Sequence, residues 1–395
     1  MSSPAFCSYK AGCTTTTAFF ITIRTGDWLV LSCENSHYGL YMLKSIHYTR
    51  GFAALLVVMF HFSFMYIGKV EPFNTAFLNG GFGVDLFFLI SGFIITYVTE
   101  KKSHVAVFFL KRFFRIYPLF LFVLIISSIF LVRYNVHPVW SMIKSGLFIL
   151  QDYNRPAPEF DFNFIGPAWT LSYEIWFYFV FGVAMMICHS HRVIIASVMM
   201  LAQTFLLQSI FTGSVSLRSD YVASIRDSSY ADHALKFFST SLHLEFILGM
   251  WLCVAFTRGW LNIRTIATYP IMGVLFALSG WLYFSDVVYG SGVTKFYLIA
   301  LPLFIAITLY EANFKTFNSR ILSFFGDISF SIYITHFFMM YLLLEHPPFF
   351  WQEASNLTKL IASTISAIIF AFLLHKLVEL PFIKVGATLV NRIQN

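Results

Sequence analysis

Ten apolar runs, most of them close to 20 residues long, follow one another between residues 51 and 380 and constrain this chain more than any other feature. A helix of about 20 residues reaches across the roughly 30 Å of a bilayer's hydrocarbon core. Lipid offers no hydrogen-bond partners, so a run of that length must satisfy its own backbone groups, as a helix does. The runs lie at 51–67, 82–99, 116–132, 167–188, 193–211, 237–257, 265–284, 295–311, 322–343 and 357–380. The expected fold is therefore all-α, a polytopic integral-membrane helical bundle of about ten transmembrane helices. Charge content agrees: 11% of the 395 residues are charged, against about 25% in a soluble domain. A further run at 139–150 is too short to cross and carries Lys144, so it is expected to be re-entrant or interfacial.

The placement of Lys and Arg orients the spans. With the N-terminus inside, the cytoplasmic segments hold Lys44, Arg50, Lys101, Lys102, Lys111, Arg112, Arg115, Arg192, Arg258, Arg264 and further basic residues toward the C-terminus. Counting 139–150 as a span would put Arg258 and Arg264 outside, so both termini are expected in the cytoplasm. Two longer outer segments, 133–166 and 212–236, could recognise something external or simply connect helices. Residues 1–41 do not fit the pattern. Ala18 to Ile23 is too short for a signal-peptide core, and Arg24, Asp27 and Glu34 interrupt the stretch after it. They are expected to form an N-terminal extension, disordered or upstream of a natural start at Met42, with 42–395 as the membrane domain; a genuine small appendage is the alternative. The net charge of +7 comes without a basic low-complexity tail, which argues against a nucleic-acid partner. Five cysteines make no CxxC and no metal-ligand spacing, so neither a disulfide framework nor a metal site is expected.

Ionisable groups inside the runs are the candidates for function, because each is costly in lipid unless it has a task or a partner. At about 1.5 Å of rise per residue, His61 lies about 16 Å above the inner face and His336 about 21 Å. Glu174 lies about 10 Å and Glu245 about 12 Å below the outer ends of their helices, and Asp85 is near an outer end. Five groups from five helices thus fall in one slab from midplane to outer face, and a shared polar cavity would explain them together. Structural alternatives stand beside each. His61 could tie two helices by a hydrogen bond, Glu174 could pair with a buried cation, Glu245 and His336 could serve packing, and Asp85 could hold the Gly80–Gly83 bend. Arg112 and Arg115, three apart with Lys111 beside them, could be plain topology signals. Their guanidinium forks also suit phosphate on the side where a nucleotide-type donor is found.

Five segments appear in order: Arg50 followed by ten residues and His61; Gly83-Val-Asp-Leu-Phe-Phe-Leu-Ile-Ser-Gly92; Arg112-Phe-Phe-Arg115-Ile-Tyr-Pro118; Ala168-Trp-Thr-Leu-Ser-Tyr-Glu174; and Ile328-Ser-Phe-Ser-Ile-Tyr-Ile-Thr-His336. The pattern resembles the acyltransferase-3 family of integral-membrane O-acyltransferases, which modify bacterial O-antigens, exopolysaccharides and other external glycans. Val378-Glu-Leu-Pro381 looks like that family's last helix, and the resemblance covers about 42 to 385. It implies transfer of an acyl group, acetyl foremost, from cytoplasmic acyl-CoA to a hydroxyl of a cell-surface or lipid-linked glycan, in a bacterial inner membrane. On that resemblance His61 and Glu174 are the expected catalytic residues, Glu174 the less secure. Arg50 is expected to act with His61, Arg112 and Arg115 to hold the donor, and His336 to orient the imidazole or the sugar. No bound cofactor is expected beyond acyl-CoA as co-substrate; the partners are donor, acceptor and membrane lipid. The alternative is a multi-pass transporter of a small anion or lipid-linked sugar, with the polar slab as its pathway; a scaffold whose polar groups only tie helices together is a further rival.

Overall fold

The computed structural model describes residues 43–66, 73–131, 138–225, 233–263, 266–285 and 287–394, so the expected N-terminal extension lies outside the described residues. Among the described residues the chain is helical and contains no strand. The helices are α1 (Lys44–Tyr66), α2 (Phe73–Leu78), α3 (Gly83–Val98), α4 (Val105–Leu131), α5 (Pro138–Gly146), α6 (Trp169–Ile187), α7 (Arg192–Thr212) and α8 (Leu235–Ser239). They continue as α9 (Leu244–Thr257), α10 (Thr268–Phe284), α11 (Tyr297–Asn313), α12 (Arg320–Asp327), α13 (Ser329–Glu345), α14 (Asn356–Leu374) and α15 (Leu380–Gln394).

Among the described residues, six stretches are long and apolar enough to cross a membrane: Lys44–Tyr66, Ala76–Val98, Val105–Phe130, Gly166–Ile187, His189–Thr212 and Asn356–Gln394. The pair α12 and α13 passes the same test together but is bent by 63° at the intervening Ile328. Ser241–Thr257, Thr268–Phe284 and Tyr297–Asn313 are apolar but shorter. All ten expected runs are therefore helical, while fewer than ten have the length of a span. The run at 139–150 forms the nine-residue α5, far too short to cross, with Val139, Trp140 and Ile143 exposed on it.

Two helices differ from their apolar runs. α4 begins at Val105 rather than near 116, so Lys111, Arg112 and Arg115 lie inside the helix instead of in a segment before it. An apolar-run criterion stops at charge, whereas Lys and Arg are good helix formers and let the helix run on. The last run continues past 380 through a π-helical turn, His375–Glu379, into α15. Pro381 supplies the cause: its ring would clash with the carbonyl four residues back, and the wider turn makes room.

α1 is the hub of the bundle, packed by α2, α3, α11, α12, α13 and α14. Close approach there depends on Gly51, where an added Cβ would stand 2.6 Å from the Phe325 carbonyl carbon on α12. The tightest helix pair is α3 with α9. A Cβ on Gly92 would meet the Phe246 carbonyl oxygen at 2.3 Å, and one on Gly249 would meet that of Leu89 at 2.2 Å. Without a hydrophobic drive between helices in lipid, small residues that admit such contact are what hold a membrane bundle.

Candidate active site

His61 and His336 meet across the α1–α13 interface, with Nε2 of His336 3.2 Å from Nδ1 of His61. Their backbone contacts fix which nitrogen carries the proton. Nδ1 of His336 lies 2.8 Å from the Tyr333 carbonyl oxygen, and Nδ1 of His61 lies 2.9 Å from that of Val57. A carbonyl oxygen only accepts, so both Nδ1 atoms are donors and Nε2 of neutral His336 is an acceptor. The Nδ1–H of His61 is thus shared between Val57 and His336, which leaves Nε2 of His61 with an unprotonated lone pair. His336 is buried and His61 half-buried. The Phe337 ring stands edge-on to His61 at 4.9 Å between centroids, and Phe60 flanks it at 5.0 Å. Phe337 is in turn hemmed in by Gly166, where a Cβ would come within 2.5 Å of its ring.

Tyr333, three residues before His336, carries the network onward. Its hydroxyl donates to the Pro167 carbonyl at 3.0 Å and lies 2.8 Å from Oγ1 of Thr170, which ties α13 to the start of α6. One turn further along α6, Glu174 accepts from Oγ of Ser91 at 3.0 Å and from the Tyr178 hydroxyl. Arg50 lies in the field of the Glu174 carboxylate, with the like charge of Arg112 opposing it. The Arg112 guanidinium lies over the Tyr178 ring, 5.9 Å from its centroid, and its Nε is buried without a hydrogen-bond partner.

Arg115 has a different place. It donates to Oε1 of the buried Glu379, whose Oε2 accepts from Oγ of Ser331 at 2.5 Å and from Nδ1 of His375 at 2.9 Å. The fork thereby joins α4, α13 and the π turn. Glu379 was legible only as part of the Val378-to-Pro381 segment; an acidic residue in an apolar run near the level of Arg115 was the signal that could have flagged the pair. Tyr178, Tyr333 and Ser91 carried no such signal, since neutral hydroxyls are common in membrane helices.

The five groups of the polar slab fall into separate contacts. His61 and His336 pair, Glu174 accepts from Ser91 and Tyr178, and Asp85 faces Glu245. Asp85 does not hold the Gly80–Gly83 bend: its Oδ1 accepts from the backbone N–H of Gly292 at 2.8 Å, in the turn before α11. Among the described residues, no group of three or more His, Cys, Asp or Glu side chains is placed to hold a metal ion. The arrangement offers an imidazole with a free ring nitrogen near the Tyr333–Thr170 contact and, one turn further along α6, a carboxylate that accepts from Ser91 and Tyr178.

Residues 43–376 match a family model described as an acyltransferase domain. Among curated proteins, the chain is 33% identical over 148 residues to the acyltransferase MdmB of Streptomyces mycarofaciens, covering 35% of this chain and 38% of that protein. It is 25% identical over 381 residues to a protein of Staphylococcus aureus (strain COL) provisionally named an O-acetyltransferase, covering 87% of this chain and 57% of the relative. A protein of Acidianus two-tailed virus, provisionally named an acetyltransferase, is 26% identical over 298 residues, 74% of this chain and 82% of its own. The chain thus spans well under two thirds of the length of the first two relatives. No solved structure matches it. The family model covers most of the chain and all five ordered segments, and the chain belongs to the acyltransferase-3 family.

Proposed function

We propose that this membrane protein transfers an acyl group, acetyl foremost, from cytoplasmic acyl-CoA to a hydroxyl of a cell-surface or lipid-linked glycan. The observation that carries the reading is the His61–His336 contact, because it leaves Nε2 of His61 free to take a proton. In this mechanism the acceptor hydroxyl gives its proton to that nitrogen while its oxygen attacks the thioester carbonyl. The new C–O bond forms, the C–S bond breaks, and the imidazolium returns the proton to the departing thiolate, giving free CoA thiol. A transient acyl group on His61 is the two-step version of the same balance. His336 fixes the tautomer. Glu174 holds Arg50 and Tyr178, and through them the position of α1 against α6. Arg112 is the guanidinium with a donor group to spare for a CoA phosphate, and Arg115 secures the helix that carries it. The polar line from Arg112 through Tyr178 and Glu174 to Tyr333 gives the pantetheine arm a direction of entry.

The arrangement is completed by ten spans in which the three shorter helices cross at their reduced length, both termini are cytoplasmic, and the membrane is a bacterial inner membrane. The polar line would also serve a transporter of a small anion or lipid-linked sugar, and one experiment separates the two. Membranes holding the protein, given radiolabelled acetyl-CoA and a lipid-linked glycan fraction, are expected to label the glycan, and His61→Ala is expected to abolish that label at normal protein level. Absence of label with acetyl and longer acyl donors, together with substrate uptake and no altered product, would favour the transporter.

A further inference from the structure

Apart from the histidine pair, the bundle contains a second polar group with unmet bonding capacity. Asp85 of α3 and Glu245 of α9 are 0% exposed and Tyr297 of α11 is 1% exposed. Asp85 Oδ2, both carboxyl oxygens of Glu245 and the Tyr297 hydroxyl are buried without a hydrogen-bond partner. Such atoms are rare in native interiors and each ordinarily has a partner of some kind.

Sequence spacing explains why the carboxyls meet. Asp85 precedes Gly92 by seven positions and Glu245 precedes Gly249 by four, so each acid lies on the face of its helix that carries the close-packing glycine. The close α3–α9 packing at Gly92 and Gly249 brings the two side chains to face each other. The Gly292 N–H occupies Oδ1 of Asp85, so Oδ2 is the oxygen left for Glu245. The Tyr297 hydroxyl lies in the field of both acids. The other titratable groups whose fields reach the pair are Glu159 of the loop before α6 and Tyr173 of α6, and neither is a cation.

Two ionised carboxylates in contact have only acceptors to offer each other, and like charges in one apolar site cannot both persist. We propose that Asp85 and Glu245 form a buried proton-binding site, in which one carboxylic acid and one carboxylate share a single proton. One added proton gives the pair the donor it lacks: a charge-assisted O–H···O⁻ bond joins the acids. Among the described residues no third His, Cys, Asp or Glu joins the pair as a ligand, which favours a proton over a metal cation.

Infrared spectra of the full chain in lipid nanodiscs at neutral pH test this, comparing wild type with Asp85→Asn/Glu245→Gln. The expected difference is the carbonyl band of one carboxylic acid per chain, present in wild type and absent from the double variant. No difference, or a band worth two acids, overturns the proposal. So does a band that disappears when sodium replaces choline at constant ionic strength, which would make the site a cation site. Should the double variant not fold, Asp85→Asn and Glu245→Gln carry the test singly. Each puts a carboxamide donor in the proton's place, so each is expected to lose the band, and an undiminished band in both overturns the site.

Discussion

Nε2 of His336 faces Nδ1 of His61 at 3.2 Å although 275 positions of chain separate them. The contact turns two isolated histidines into an oriented pair, because His336 can only accept there. Removing His61 is expected to lower acyl transfer by roughly 10²-fold to 10⁴-fold, the range of a general base. Removing His336 leaves the lone pair of His61 in place but loosens its ring. His336→Ala is therefore expected to lower kcat by roughly tenfold to hundredfold with little change in KM, comparable to the loss of an orienting partner elsewhere. Steady-state release of CoA thiol in reconstituted membranes measures both. Equal and complete loss in the two variants would instead give His336 a direct chemical role.

The Arg115–Glu379 pair makes a prediction about stability. Glu379→Ala leaves a guanidinium inside the bundle without its carboxylate, a change that typically costs about 3–5 kcal/mol. A marked fall in the unfolding temperature of the detergent-solubilised protein is expected, and a smaller one for Glu379→Gln. If Arg115 only contacts the donor, Glu379→Ala will unfold like wild type.

Gly166 controls the ring beside the base. Its Cβ would lie 2.5 Å from Phe337, so Gly166→Ala is expected to push that ring toward His61. Displacement of the imidazole by a fraction of an ångström should reduce transfer by roughly tenfold to hundredfold. Protein level and unfolding temperature should remain close to wild type, which distinguishes misplacement from misfolding.

The loop around Glu159 has its own pH dependence. Burial holds the Glu159 carboxyl above its usual range, with Lys295 pulling it back and Asp220 pushing it further up. The folded loop therefore keeps this proton to higher pH than an unfolded chain does. Its contribution is complete below the unfolded value of about 4.3 and is lost as pH rises through the folded value. Hydrogen exchange in residues 147–165, corrected for intrinsic rates, should show stronger protection at about pH 5 than at about pH 8. Glu159→Gln should flatten that dependence.

Helical membrane character was legible in the residues alone, as was the need of His61, His336, Glu174, Asp85 and Glu245 for partners. Both conclusions rest on the length of a bilayer-crossing helix and the cost of an ionisable group in lipid. Which group meets which was not legible there. Depth along a helix comes from residue count, whereas direction around its axis turns by about 100° per residue and is fixed only by the neighbours it packs on. That rotation put His336 against His61 and turned Asp85 toward Glu245. It also gave Arg115 to Glu379, 264 positions away, through a π turn no apolar run announces.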